Sequence, residues 1–229
     1  MFFTHRATQA EYFDLPDRPA SELTEFHAAL ARLNRFFAFA HPFQRTIPQV
    51  LGEDACRSLR ILDLGAGEGS LGRELREWAG AEHGWDWRFT NLDFNFQALR
   101  QAPLGGAVAG SVLALPFGDR SFDVVIASQM THHLVSDEEV ERHLSEAWRV
   151  ARRAIVLSDL HRGLLLYGVL WVFLHVFRYP GHFSADALLS VRRGFRVNEL
   201  RRLAQKAGIT AACVELNYRM RISLHAWRG

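Results

Sequence analysis

The stretch Ile61-Leu62-Asp63-Leu64-Gly65-Ala66-Gly67-Glu68-Gly69 constrains this chain more than any other part of it, because an apolar run ending in an acid passes directly into three glycines at alternate positions. The run reads as a buried parallel strand and the glycines as the turn that follows it. Glycine has no Cβ and tolerates positive φ, so the backbone can turn sharply there and let a ligand come close. A helix predicted over Leu71 to Ala79 then points its positive N-terminal end at that ligand. Loops of this kind bind dinucleotides when the spacing is G-x-G-x-x-G/A. Here the third glycine comes one residue early, at Gly69, and Ser70 occupies the place of the expected Gly or Ala. A second strand, Arg88 to Asp93, ends in an acid at about the 20-residue distance from which a carboxylate reaches ribose hydroxyls. Asp93 therefore supports a nucleotide without choosing its class.

The choice comes from the segment Gly110 to Ser128, which contains Leu115-Pro116-Phe117 and then Ser121-Phe122-Asp123-Val124-Val125-Ile126-Ala127-Ser128, with His132-His133-Leu134 after it. With the D-L-G-x-G-x-G strand and the second-strand acid, these elements stand in the order found in class I S-adenosylmethionine-dependent methyltransferases. The chain resembles that family over about residues 59 to 158, and most of all its small-molecule branch, which contains quinone-biosynthesis C-methyltransferases. The resemblance implies an α/β fold: a Rossmann-like, seven-stranded, mostly parallel sheet with helices on both faces and the last strand antiparallel. It implies S-adenosylmethionine as cofactor. By position, Asp63, Leu64, Gly65, Ala66 and Gly67 would surround the methionine end, Asp93 the ribose, Phe94 one face of the adenine, and Ser111 with Val112 its polar edge. Ser128 and Gln129 would lie beside the sulfonium and its amino acid group. Relatives commonly carry an acid where this chain has Ser111; a serine oxygen can still accept from the adenine amino group, so weaker anchoring of the adenine is expected.

Composition agrees with an enzyme of this kind. A chain of 229 residues, 48% hydrophobic and with formal charge +2, suits one α/β domain with a modest extension and gives no reason to expect a nucleic-acid partner. Only Lys206 among the 27 basic residues is lysine, a bias in codon usage rather than a phosphate site. Cys56 and Cys213 have neither metal-ligand spacing nor a disulfide framework, and Met1 to Arg6 lack the order of a signal peptide, so a cytoplasmic protein is expected.

Residues 1–52 read as an N-terminal helical extension or cap, and 53–229 as the methyltransferase domain with an apolar helical insertion over about 160–194. In the extension, Asp14, Pro16 and Pro19 break an irregular lead, Ser21 is a candidate N-cap, and Leu23, Phe26, Leu30, Leu33 and Phe37 recur at helical spacing through Glu22 to Ala40. Downstream, Asp137 to Val150 reads as a helix, Ala154 to Ser158 as a strand, and Phe195 to Ala207 as a helix stopped at Gly208. Two last strands follow, Ile209 to Leu216 and Met220 to Trp227. Gly163 to Phe177 is apolar on every side and must be covered by something. It is shorter than the about 20 residues that span a bilayer. Three roles stay open for it: core, wall of a hydrophobic substrate pocket, or contact with a membrane surface or a second copy in a homodimer.

Methyl transfer from a sulfonium needs alignment more than acid catalysis, because the leaving group departs as a neutral thioether. A phenol or an enolisable carbon gains from a base, and histidine suits neutral pH. His132 and His133 follow the fourth strand and His161 the fifth, past the carboxyl ends where open α/β sheets bind ligands; Asp159 is near enough in sequence to orient His161. These three histidines are the candidate catalytic residues. No His or Cys cluster of metal type is present in the sequence, and no catalytic metal is expected. The expected acceptor is a small hydrophobic molecule, a phenolic or polyketide-like compound methylated on oxygen. A quinone-like substrate methylated on carbon and a non-catalytic S-adenosylmethionine-fold interaction protein are the alternatives.

Overall fold

The computed structural model describes residues 3–14, 19–100, 106–217 and 220–228. In chain order its elements are α1 (Ala20–Phe36), α2 (His41–Leu51), β1 (Ser58–Leu64), α3 (Ser70–His83), β2 (Asp86–Asp93), α4 (Phe96–Leu99), β3 (Gly106–Ala109), β4 (Phe122–Ser128), α5 (Asp137–Val150), β5 (Ala151–Leu160), α6 (Leu164–Val176), α7 (Gly181–Arg193), α8 (Val197–Lys206), β6 (Cys213–Leu216) and β7 (Arg221–Trp227). The strands form one sheet in the order β3-β2-β1-β4-β5-β7-β6. β1 pairs in parallel with β2 and β4, and β4 with β5, while β7 runs antiparallel between β5 and β6. The expected seven-stranded sheet with its last strand reversed is thus present. The order turns back between β1 and β4, and the crevice outside their carboxyl ends is where such sheets hold ligands.

The central strand β4 is buried along six of its seven residues, as a strand covered on both faces must be. On one side of the sheet Leu62, Val125, Leu157 and Leu224 meet Leu144 of α5 and Leu200 and Leu203 of α8. On the other, Ile61, Phe89, Val124 and Ile126 meet Phe43 and Ile47 of α2 and Leu75 of α3. Burying a side chain of this size contributes roughly 1.5–3 kcal/mol, so the two layers together hold the strand ends in fixed register. A third cluster lies beyond the sheet ends and joins Ala29 and Leu33 of α1 to Leu166, Leu170 and Leu174 of α6 and Phe183 of α7.

The N-terminal region departs from the sequence expectation. The helix read over Glu22 to Ala40 ends at Phe36, and a second helix, α2, starts at His41 after a turn over residues 37–40 in which Ala38 takes φ 47°. The reason lies in burial: Phe39 and Ala40 are turned into the protein, and α2 packs on the sheet. Pro16 lies outside the described residues, as does the side chain of Ser21. The helix ending the domain is α8, two residues inside the expected start at Phe195, and α5 has the expected bounds because Ser136 accepts from the Glu139 amide at 3.1 Å while Glu139 accepts from the Ser136 amide at 3.2 Å. The apolar stretch forms α6. Leu166, Leu170 and Leu174 face inward, whereas Leu164, Leu165, Val172 and Val176 are exposed. No helix of the described residues is long and apolar enough to cross a membrane.

The chain after β5 is secured by Arg162, fully buried, which donates to the Gly194 carbonyl at 2.7 Å and pairs with Glu199. Gly194 is required beside it, since a Cβ there would stand 2.3 Å from the Leu160 carbonyl oxygen. Gly194→Ala is therefore expected to lower stability by roughly 1–3 kcal/mol, read from urea unfolding, because backbone rather than a flexible side chain must move.

Candidate functional site

Past the carboxyl end of β1, Gly65, Gly67 and Gly69 all adopt positive φ, at 68°, 54° and 68°. These are conformations that a side chain would strain. Two features of β2 hold the loop: the Leu92 carbonyl accepts from the amides of Gly65 at 2.8 Å and Ala66 at 3.1 Å, and the Asp93 carboxylate accepts from the Gly67 amide at 2.8 Å. The other Asp93 oxygen accepts from the Asn95 amide at 2.8 Å. Each oxygen keeps a lone pair for a further donor. Asp63 is buried at the end of β1, and its Oδ2 has no hydrogen-bond partner among the described residues. Burial, and then the charge of Asp93, push its carboxyl up to about 8. At the end of β4, Gln129 also takes a positive φ of 51° while its amide donates to the Ser158 carbonyl at 2.9 Å.

The loop opens into a cavity of about 1110 Å³ whose far half is apolar, walled by Phe13, Phe26, Leu30, Phe37, Leu166, Leu170 and Phe183. α1 and the turn after it, α6, α7 and the N-terminal segment supply these side chains. At its floor stands His132, 2% exposed, in the short turn after β4. Its Nδ1 lies 2.6 Å from Asp159 Oδ1, and its amide donates to Asp159 Oδ2 at 3.1 Å. On the other side, Nε2 lies 3.8 Å from Glu11 Oε1, too far for a direct hydrogen bond. Burial raises the Asp159 carboxyl, but the charge and hydrogen bond of His132, the Leu160 amide and Arg221 outweigh it and hold it down to about 2. The turn is fixed from outside by two arginines. Arg193 donates to the carbonyls of His132 at 3.1 Å and His133 at 2.7 Å, and Arg6 donates to that of Leu134 at 2.6 Å.

Glu11 comes from the N-terminal segment, which is docked on α7. Asp186 accepts from the amides of Tyr12 at 2.7 Å and Phe13 at 3.0 Å, and Ser190 donates to Glu11 at 2.7 Å. Glu11, His132 and His133 bring possible ligand atoms within 4.8 Å of one another. The guanidinium of Arg193, 3.7 Å from Glu11, already brings positive charge to that carboxylate and opposes a cation beside it.

The structure brings Asp63, Gly65, Ala66, Gly67, Asp93, Phe94, Ser128, Gln129, His132 and His133 to the wall of this one cavity. Leu64 is instead buried in the core under the loop. Ser111 and Val112 are not part of the wall; the Ser111 hydroxyl accepts from the Leu113 amide at 3.1 Å. His161 is also not part of it, and Asp159, expected to orient His161, is bonded to His132 instead. Strand alternation explains this: Asp159 and His161 point to the same face, but the His132 turn crosses over Asp159, whereas His161 bridges toward Phe195. Burial and the nearby Arg196 and Arg162 push the His161 imidazole below its ordinary value. The segment from Tyr179 to Ser184 enters α7 at Gly181, and the His182 ring stacks on that of Tyr12 with centroids 4.3 Å apart. Sequence reasoning missed Glu11, Arg193 and Arg221. The buried Arg221 opens β7, and the only signal for it was an arginine at the head of an otherwise apolar strand.

Residues 62–156 match the family described as a methyltransferase domain. That part of the chain is a class I S-adenosylmethionine-dependent methyltransferase domain. A curated relative, the demethylmenaquinone methyltransferase of Roseiflexus castenholzii, is 36% identical over 99 residues, which are 41% of this chain and 38% of that protein. The chain thus spans well under half the length of that relative. Among solved structures, a methyltransferase of Thermotoga maritima described as a possible histamine N-methyltransferase is 15% identical at a TM-score of 0.59, covering 89% of this chain and 97% of its own. The magnesium protoporphyrin IX methyltransferase of Synechocystis, with bound S-adenosylhomocysteine, is 18% identical at a TM-score of 0.53, covering 82% and 84%.

The residues present fit S-adenosylmethionine. The Asp63 oxygen lacks a donor, a Cβ on Gly67 would face open space, and both Asp93 oxygens can still accept. Asp63, the glycine loop and Asp93 are the groups that would hold it. Because the folded protein keeps the Asp63 proton up to about pH 8 and the unfolded chain loses it near pH 4, this group costs stability progressively as pH rises between those values. Asp63→Asn removes that cost, so the stability of the variant relative to the wild type is expected to rise from pH 5 to pH 8 in urea unfolding. Asp93→Ala is expected to weaken S-adenosylhomocysteine binding by roughly tenfold or more in calorimetry, since it removes the anchor of the Gly67 amide and the carboxylate that would meet the ribose together.

Proposed function

We propose that the protein is an S-adenosylmethionine-dependent methyltransferase that methylates a hydroxyl of a small hydrophobic acceptor, a phenolic or polyketide-like compound. The observation that carries this reading is the His132–Asp159 pair. An imidazole held at Nδ1 by an ionised carboxylate presents Nε2 at the floor of an apolar cavity that is continuous with the glycine loop. When bound, S-adenosylmethionine supplies an activated methyl group whose leaving group needs no proton. The work left to the chain is to align the acceptor, exclude water and take one proton.

His132 Nε2 takes the acceptor's hydroxyl proton, and Asp159 stabilises the resulting imidazolium from the other nitrogen. Arg193 and Arg6, by gripping the carbonyls of the histidine turn, keep the ring from swinging away. The rings of Phe13, Phe26 and Phe183, packed in tilted pairs with centroids 4.1 and 5.4 Å apart, receive the flat apolar body of the acceptor. His133 borders the same space and contacts the acceptor. A quinone-like acceptor methylated on carbon is a second reading, favoured by the name of the Roseiflexus relative. The same histidine would then take the proton of a ring hydroxyl.

The class is tested by calorimetric titration with S-adenosylmethionine, S-adenosylhomocysteine and NADH, where saturable binding of the two sulfur nucleotides alone is expected. Against a panel of phenols, His132→Ala is expected to lower kcat by about 10²- to 10⁴-fold with S-adenosylhomocysteine affinity unchanged. Equal loss of kcat and of nucleotide affinity would instead make His132 a structural residue.

A further inference from the structure

Arg221 is a positive charge buried in the cavity wall with part of its hydrogen-bonding capacity unused. It stands at the head of β7 opposite Leu160 of β5 and is 2% exposed. Its Nε donates to Ser158 Oγ at 3.0 Å and its Nη2 to the Ser158 carbonyl at 3.0 Å, with Ser128 Oγ at the outer limit, 3.5 Å from Nη2. Nη1 has no hydrogen-bond partner among the described residues. The guanidinium lies 4.2 Å from the centre of the Phe39 ring, which covers one of its faces and fixes its plane. No carboxylate among the described residues forms an ion pair with it; Asp159, the nearest acid acting on it, spends its oxygens on His132 and the Leu160 amide. Burial without such a partner lowers its pKa to about 10, still charged at neutral pH.

An arginine taken out of water normally finds a carboxylate or phosphate, because its planar fork of N–H groups matches two oxygens at once. Here the chain provides hydroxyls and a carbonyl along one edge and leaves Nη1 without a partner among the described residues, in a side chain that lines the cavity. We propose that Arg221 is a carboxylate receptor at the acceptor end of the cavity, so that the methyl acceptor is an aromatic or polyketide-like hydroxy acid. This inference rests on the methyltransferase function proposed above and narrows its substrate class. Ser128 and Ser158 hold the fork at the ends of β4 and β5. A carboxylate received there leaves the acceptor's apolar body to the phenylalanine wall and its hydroxyl to His132. The amino acid group of the nucleotide offers the same chemistry, and the experiment separates the two sources.

The test is calorimetry on the full chain, wild type, Arg221→Met and Arg221→Lys, with four probes: S-adenosylhomocysteine, 5′-methylthioadenosine, which lacks the amino acid, salicylate and phenol. The wild type is expected to prefer salicylate to phenol by roughly tenfold or more, as a charge-assisted pair implies. Arg221→Met is expected to abolish that preference, leaving both nucleotide affinities within about twofold. If it instead weakens S-adenosylhomocysteine by about tenfold while 5′-methylthioadenosine is unchanged, Arg221 receives a carboxylate from the nucleotide, not from the acceptor. Retained 5′-methylthioadenosine binding shows that the variant is folded; should Arg221→Met fail to fold, Arg221→Lys, which keeps the charge and loses the fork, is read in its place. The proposal is overturned if both the salicylate-to-phenol and the S-adenosylhomocysteine-to-methylthioadenosine ratios equal those of the wild type. Failure of the wild type to bind either nucleotide would overturn the methyltransferase function instead, and the salicylate-to-phenol ratio alone would then decide the role of Arg221.

Discussion

The site is organised around one buried carboxylate. Asp159, near the end of β5, accepts from the Leu160 amide at 2.7 Å, from the His132 amide at 3.1 Å and from the His132 ring at 2.6 Å. A carboxylate removed from water must be satisfied by such donors or give up its charge. The three bonds therefore fix two things at once: the path of the chain leaving β4 and the tautomer of the imidazole, whose other nitrogen is left for chemistry. Replacing Asp159 by an apolar residue would loosen the turn as well as the ring, because among the described residues no other group bonds both the backbone amide and the side chain of His132.

Around this centre the N-terminal segment acts as a fourth side of the cavity. It reaches the floor through Glu11, is fastened to α7 through Asp186 and Ser190, and returns to the histidine turn through Arg6. Residues far apart in sequence thus share the carbonyls of a single three-residue turn. Such a closed ring of polar bonds holds the apolar wall of Phe13 and Phe26 against α7, where hydrophobic contact alone would allow many arrangements.

How much of this was legible in the sequence follows the range of the interactions. The glycine loop, Asp93 and the strand from Phe122 to Ser128 are local patterns, each enforced by sterics or strand burial within a few residues, and they carried the resemblance that implied a seven-stranded sheet with its last strand reversed. The start of α5 could be read because Asp137, Glu138 and Glu139 together fill its first turn. What could not be read depends on contacts across the sheet. Asp159 lies two residues from His161 and 27 from His132, and only the crossing of the turn after β4 over β5 assigns it to the more distant partner. The break between α1 and α2 is likewise set by the burial of Phe39 and Ala40, since helical periodicity continues without interruption through Phe37. Glu11, Arg193 and Arg221 carry no motif; their roles arise from burial, which a single charged letter in a sequence does not announce.

Gly65 has a second duty besides its positive φ. The place its Cβ would occupy is filled by the Met130 side chain, with Cγ 2.2 Å from that point. Met130 precedes the histidine turn by one residue and lends its carbonyl to the His133 amide at 3.0 Å. The glycine loop and the histidine turn are therefore fitted into one another like a tenon and its socket. A change in the width of one is a displacement of the other, so evolution at residue 65 is bound to residue 130 even though the two follow different strands.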